Sequence, residues 1–260
     1  MKRTFKNRHL PAMLSILSLS VFLLASCSTG EKDPAKSVLL DSVKAMGGMS
    51  KATGWKTLVQ KGTMTSEWPG WGTVKADCTY YTQKPDMQLL DQDYSAYDHP
   101  FYFVYVQNGA QSWSEVNMGI RQNERTTAML EQRMREIDGL VHFVSSCDSF
   151  FIVPDAPADS LLAGMKLKRI GCVSGEKTVY FDIDGATRLP ARKIETSGEV
   201  ETQTIMEDYR DVSGRKVPFH VTIYQNGAKT TEFVWEEIVF DTPVDPAIFE
   251  KNKPQPAKEA

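Results

Sequence analysis

Between residues 177 and 249 the chain alternates short runs of β-branched and aromatic residues with two-residue turn signals. Residues 179–183 are followed by Asp184-Gly185, residues 189–196 by Ser197-Gly198, and residues 200–209 run on to Ser213-Gly214. Residues 216–224 meet Asn226-Gly227, and residues 229–240 close the series before Pro243 and Pro246. Such dipeptides supply the positive φ angles of tight hairpins. Strands joined this closely must be antiparallel, because a parallel return needs a long crossover. The C-terminal third therefore predicts a meandering antiparallel sheet.

The first half repeats this pattern. Residues 55–68, 73–82, 87–90, 101–107 and 110–115 read as strands, punctuated by Pro69-Gly70-Trp71-Gly72, Lys84-Pro85-Asp86 and Asn108-Gly109. Ahead of them, Val38, Leu39, Val43 and Met46 recur at helical spacing over residues 34–46. Asp33 caps that helix before Pro34, and Gly47-Gly48 ends it. Between the halves the strand pattern stops. Leu130, Met134, Ile137 and Val141 follow an i, i+4, i+7, i+11 spacing, with Glu131, Arg133, Arg135 and Glu136 opposite. Gly139 breaks this insert, and residues 140–153 read as a second, more apolar helical segment. Residues 167–172 return to strand. The predicted fold is α+β, a large antiparallel sheet with helices on one face. A sheet this large curls, and amphipathic helices over its concave face enclose an apolar space.

The N-terminus stands outside this pattern. Lys2, Arg3, Lys6 and Arg8 precede an apolar run over residues 13–24, which is short of the ~20 residues of a membrane span. Leu24-Ala25-Ser26-Cys27 then matches the lipobox at which bacterial lipoproteins are cleaved. The expectation is a signal peptide over residues 1–26, acylation of Cys27, and a lipidated tether over residues 27–33. The alternative is an ordinary cleaved leader with a chance cysteine. Ser28, rather than an Asp, favours the outer membrane and its periplasmic face. Residues 34–251 form one domain, and the polar residues 252–260 a disordered tail.

Removing the leader's four basic residues from the chain's 30 leaves 26 against 33 acidic residues. With no basic patch, nucleic acid is excluded as a partner. Of the four cysteines, Cys78, Cys147 and Cys172 remain after acylation of Cys27. No Cys-x-x-Cys pair or histidine spacing suggests a metal. An exported chain can form one bridge from three thiols, and a Cys147–Cys172 pair stands against three separate buried thiols.

The chain also lacks the apparatus of an enzyme. His99, His142 and His220 have no partners at ligand or triad spacing, and no nucleophile elbow, phosphate loop or dinucleotide fingerprint occurs. Asp182-Ile183-Asp184-Gly185 is explained by a hairpin without calcium. Glu236-Glu237 interrupts the alternation of the last strand, where a β-bulge suffices. No catalyst, metal or cofactor is expected. What remains unusual is the aromatic and methionine content. The run over residues 101–106 is apolar on both faces and must be covered twice, by helices and by something else or an apolar ligand. Candidate cavity residues are Phe101, Phe103, Tyr105, Trp113, Met129, Met134 and Trp235, each of which could equally be ordinary core.

Several strand ends carry a family likeness. Met46-Gly47-Gly48, Gly62-Thr63, Asn108-Gly109 with Trp113, Tyr180-Phe181-Asp182, Thr187-Arg188-Leu189-Pro190, the run over residues 208–219 and Pro243-Val244-Asp245-Pro246 are the residues concerned. Together they resemble the LolA/LolB-like outer-membrane lipoprotein-sorting proteins over about residues 34–251. The resemblance implies an unclosed β-barrel with helices plugging its concave face and an apolar cavity for acyl chains. It rests on turns, so it speaks to fold before function. The expected function is a lipid-anchored, periplasm-facing protein that binds acyl chains or lipoproteins in envelope trafficking. The alternative is a structural or interaction lipoprotein with a filled core, acting through an envelope protein partner.

Overall fold

The computed structural model describes residues 33–97, 101–116, 119–154 and 160–251. Cys27, His99 and the polar tail lie outside these. The first helix, α1 (Pro34–Ala45), starts as its sequence dictates: the Asp33 carboxylate accepts from the amides of Ala35 at 2.8 Å and Lys36 at 3.1 Å. A short α2 (Met49–Thr53) follows the two glycines.

Six strands come next: β1 (Thr57–Trp68), β2 (Gly72–Gln83), β3 (Met87–Asp93), β4 (Tyr102–Asn108), β5 (Gln111–Val116) and β6 (Gly119–Arg121). The insert holds α3 (Glu124–Arg135) and α4 (Leu140–Ser146). Seven more strands complete the domain: β7 (Ser149–Val153), β8 (Leu167–Ser174), β9 (Lys177–Asp184), β10 (Pro190–Ser197), β11 (Val200–Val212), β12 (Arg215–Gln225) and β13 (Ala228–Phe240).

Every strand pair is antiparallel, and the order is β6-β5-β4-β3-β2-β1-β13-β12-β11-β10-β9-β8-β7. Each half is a simple meander, and the β1–β13 pairing joins the two. The sheet does not close, so β6 and β7 are its opposite edges. The α3–α4 insert connects β6 to β7 and thus runs from one edge of the sheet to the other.

Strand alternation sorts the core into two faces. On the concave face Leu58, Met64, Val74, Ala76, Tyr80 and Leu90 pack with Trp235, Ile238 and Leu130 of α3. Further along the same face, Leu39 and Val43 of α1 and Leu140, Val141 and Val144 of α4 pack on Ile170, Phe181 and Ile183. On the convex face Leu89, Val104, Val106 and Trp113 pack against Phe249. The doubly apolar run over residues 101–106 is therefore covered on its second side by the chain's own C-terminal segment.

The expected bulge is present. Lys61 pairs with Glu237 but Gly62 with Trp235, leaving Glu236 as the extra residue. The extra residue resets the alternation, so Phe233, Trp235, Ile238 and Phe240 all face the concave side. The two backbones meet closely at this point. A Cβ on Gly62 would lie 2.2 Å from the Val234 carbonyl oxygen, so only glycine fits.

The second half of the insert departs from the helical reading of residues 140–153. The helix stops at Ser146, and Ser149–Val153 is the edge strand β7, with Ile152 opposite Ile170. A short apolar run suits a buried helix or a strand equally, and here the sheet edge decides. Cys147 and Cys172 form a disulfide with a Cα–Cα distance of 5.9 Å, tying the end of α4 to β8. Closing this loop contributes on the order of 3 kcal/mol in the chain-entropy account. Cys78 stays a buried thiol, pushed up to about 11 by burial. The β9–β10 connection is also longer than a two-residue turn. Its Asp184 carboxylate accepts from the Ala186 and Thr187 amides, and the Thr187 hydroxyl bond holds it below the usual carboxylate range.

Candidate functional site

The elbow between α3 and α4, residues 136–139, does not lie flat on the sheet. Beneath it is an apolar-lined cavity of about 300 Å³, at the lower edge of the range for small-molecule sites. Its floor is the concave face of the C-terminal flank: Phe181 on β9, Thr204 and Met206 on β11, Val217 on β12, and Ile238 and Phe240 on β13. Leu58 and Gln60 of β1 form one wall. Ile137, Leu140 and Phe143 close it from above, and Met46 and Trp55 bound one end.

The end near Met46 is held by backbone. Gly47 has φ of 117°, and a Cβ there would meet the Gly214 oxygen at 2.4 Å. The Lys216 amide donates to the Met46 carbonyl at 3.0 Å across the same junction. The Met-Gly-Gly sequence thus docks the α1 terminus against the β11–β12 turn.

Two ionic straps hold the elbow. Glu136 meets the Lys193 ammonium of β10 at 3.1 Å, and Lys193 also reaches Glu195 at 3.2 Å. On the other side Asp138 pairs with Lys84, and the Trp55 indole N–H donates to Asp138 at 3.1 Å. Lys84 lies over the Trp55 ring, 4.1 Å from its centroid. Burial alone would raise the Glu136 carboxyl, but the Lys193 charge and hydrogen bonds from Gln132 and Lys193 hold it below its ordinary range.

None of the seven aromatic and methionine residues singled out from the sequence lines this cavity. Phe101, Phe103, Tyr105 and Trp235 all belong to the packed interior of the other flank. Trp235 stacks on Phe233 at 5.4 Å and meets Tyr80 edge-on at 5.4 Å, while Phe101 stacks on Tyr94 at 4.4 Å. Trp113 is on the opposite, convex face, fully buried, with its indole N–H donating to the Lys251 carbonyl at 2.9 Å. Met129 is exposed on α3 and Met134 half-buried. The physical reason is simple: bulky side chains fill space, and a cavity forms where facing residues are short or a helix ends. Thr204 and Gly139, both lining the cavity, are such places.

The two described histidines hold no site. His142 packs edge-on against Phe143 on α4. His220 lies between Glu232 at 2.8 Å and Glu207 at 3.3 Å on β12. Among the described residues no cluster of three His, Cys, Asp or Glu could hold a metal ion, and no helix is long and apolar enough to cross a membrane.

The arrangement defines a class: an unclosed antiparallel barrel with a helix-covered apolar pocket. No family model matches the chain, and no curated protein matches it. Solved structures do. One, described as an outer membrane lipoprotein-sorting protein domain from Vibrio parahaemolyticus, is 10% identical with a TM-score of 0.52, covering 84% of this chain and 96% of that one. A DUF1329 family protein from Desulfovibrio piger is 11% identical with a TM-score of 0.54, covering 84% and 98%. A LolA superfamily protein from Nitrosomonas europaea is 9% identical with a TM-score of 0.51, covering 83% and 96%. The chain shares the LolA-like fold, as its strand-end motifs lead one to expect.

Proposed function

We propose that this protein binds an acyl chain, free or carried by a lipoprotein, in the cavity beneath the α3–α4 elbow. It does so as a binding protein of the bacterial envelope, without catalysis. The observation that carries this reading is the cavity itself: about 300 Å³, floored by Phe181, Met206, Val217, Ile238 and Phe240, and roofed by a helical junction held by polar straps. The LolA-like fold supports it, because two of the similar structures are described as LolA superfamily or lipoprotein-sorting proteins.

The chain without its first 26 residues, and with Cys27 replaced by serine, should take up the neutral fluorescent probe N-phenyl-1-naphthylamine. Fatty acids should displace it. Thr204→Phe projects a ring into the cavity from its floor. It should weaken probe binding at least tenfold while leaving stability within about 0.5 kcal/mol, because it fills space without displacing packed core. No uptake by the parent chain would sink the proposal.

The anchor is a second part of the same reading. The lipobox ending at Cys27 supports acylation and placement at the outer membrane, facing the periplasm. Cells fed radiolabelled palmitate should label the full chain but not Cys27→Ala, which should move to the soluble fraction. An unchanged membrane fraction for that variant argues against a lipid anchor.

A further inference from the structure

The cations around the cavity differ in one respect. Lys193 has Glu136 and Glu195, Arg215 has Asp241 at 3.5 Å, Lys216 has Asp211 at 3.8 Å, and Lys84 has Asp138. Among the described residues, Arg133 of α3 has no carboxylate partner. Its Nη1 donates to the Gln88 side-chain oxygen at 2.9 Å and the Thr82 hydroxyl at 3.3 Å. Its Nη2 donates to the Gln60 oxygen at 3.3 Å, and the guanidinium lies 5.6 Å from the Tyr80 ring centroid. Every one of these acceptors is neutral.

The cradle is fixed rather than incidental. Gln88 and Thr82 are fully buried, and the Gln88 amide nitrogen donates to Gln107 at 2.7 Å and to the Leu130 carbonyl at 2.6 Å. Its oxygen must therefore face Arg133. Burial pulls the guanidinium down to about 10, which leaves it charged at neutral pH. A half-buried charge without a counter-charge is costly, and an arriving anion relieves that cost. Five N–H groups offer more donors than the three bonds use, in a fork that suits a carboxylate or phosphate.

This cation is joined to the cavity through Gln60. Gln60 lines the cavity while accepting from Arg133, and Ile137, four residues on in the elbow past the end of α3, forms part of its roof. We propose that the occupant is a single-chain anionic amphiphile, its carboxylate or phosphate headgroup replacing Gln60 on Arg133 and its alkyl chain lying between Ile137, Leu58 and Ile238. This rests on the acyl-chain reading above and adds the charge of the ligand's head.

Competition against bound N-phenyl-1-naphthylamine tests it with dodecanoate, dodecyl phosphate and dodecanol. At least one anion should bind the parent chain about tenfold more tightly than the alcohol, and the stronger of the two identifies the headgroup. Arg133→Gln should bring the anions down to the level of dodecanol, and Arg133→Lys should keep part of the preference. The parent comparison needs no variant, so a misfolded Arg133→Gln does not blunt the test. Equal affinity of acid, phosphate and alcohol overturns this inference while the acyl-chain reading stands. A preference that survives in a folded Arg133→Gln also overturns it. Failure of the probe and all three amphiphiles to bind removes both.

Discussion

The two flanks of this sheet use the same strand pattern and treat their concave faces in opposite ways. On the N-terminal flank the face is full. Tyr80, Phe103, Tyr105 and Leu90 interlock with Trp235 and Phe233 from β13, and α3 sets Leu130 on top. On the C-terminal flank Thr204, Met206 and Val217 stand beside Phe181, Ile238 and Phe240 in the floor, and the covering helices break at Gly139, which also lines the cavity. Aromatic residues therefore occur in both halves: Phe103, Tyr105 and Trp235 fill the solid one, while Trp55, Phe143, Phe181 and Phe240 only line the hollow one. A second contrast follows from the first. Apolar contact fastens the filled flank, whereas salt bridges from Glu136 and Asp138 fasten the roof of the hollow one.

The largest expected effect comes from emptying the filled flank. Trp235→Ala removes a buried indole stacked on Phe233 and should cost about 4 kcal/mol, read from the urea midpoint. A loss below about 1 kcal/mol would mean that this flank is not tightly packed, and the contrast between the flanks would fail. Next in size is the bulge that aligns the two halves. Gly62→Ala puts a methyl group 2.2 Å from a backbone oxygen that cannot rotate away. The strands must shift, at a cost of about 3 kcal/mol. The probe should bind less well too, because Ile238 and Phe240 owe their concave orientation to that register. A variant with parental stability and binding would show that the bulge does not set the face.

How much of this was legible beforehand differs between fold and site. Turn dipeptides such as Asn226-Gly227 and Asn108-Gly109 fix strand ends locally, so the two meanders could be read with boundaries close to those observed. Joining them could not, because the β1–β13 pairing brings together residues some 170 positions apart with no local signal. The bulge at Glu236 was visible as a phase break, but its use was not. It returns Ile238 to the side of Trp235 opposite a glycine 174 residues earlier. The strand β7 was hidden because Phe150, Phe151, Ile152 and Val153 fit either period. Of the candidate site residues, the aromatics signalled burial and were buried, yet burial and cavity lining are different properties. Glu136 and Arg133 read only as a polar helix face, since their partners Lys193, Gln88, Thr82 and Gln60 lie far away in sequence. Trp113 illustrates the limit best: one residue of register placed it under Phe249 instead of over the interior.

The smallest expected effect separates the two kinds of fastening by pH. The Glu136 carboxyl is held below its ordinary range, so the folded state binds its proton less readily than the unfolded chain does. Its contribution is then fully present above the unfolded value of about 4.5 and is lost as pH falls through the lower folded value. Because the pair is partly exposed, that contribution is about 0.5 kcal/mol. Glu136→Gln should remove it at pH 7 and flatten the acid limb of the stability curve. Hydrogen exchange gives the sharper reading: below about pH 4.5 the amides of residues 136–143 should lose protection before those of β2 and β3, which α3 covers through Leu130 and Arg133 rather than through a carboxylate. Equal loss on both flanks would mean that the elbow is held by its apolar contacts, Ile137 and Leu140 above all, and that the Lys193 strap only orients a roof already in place.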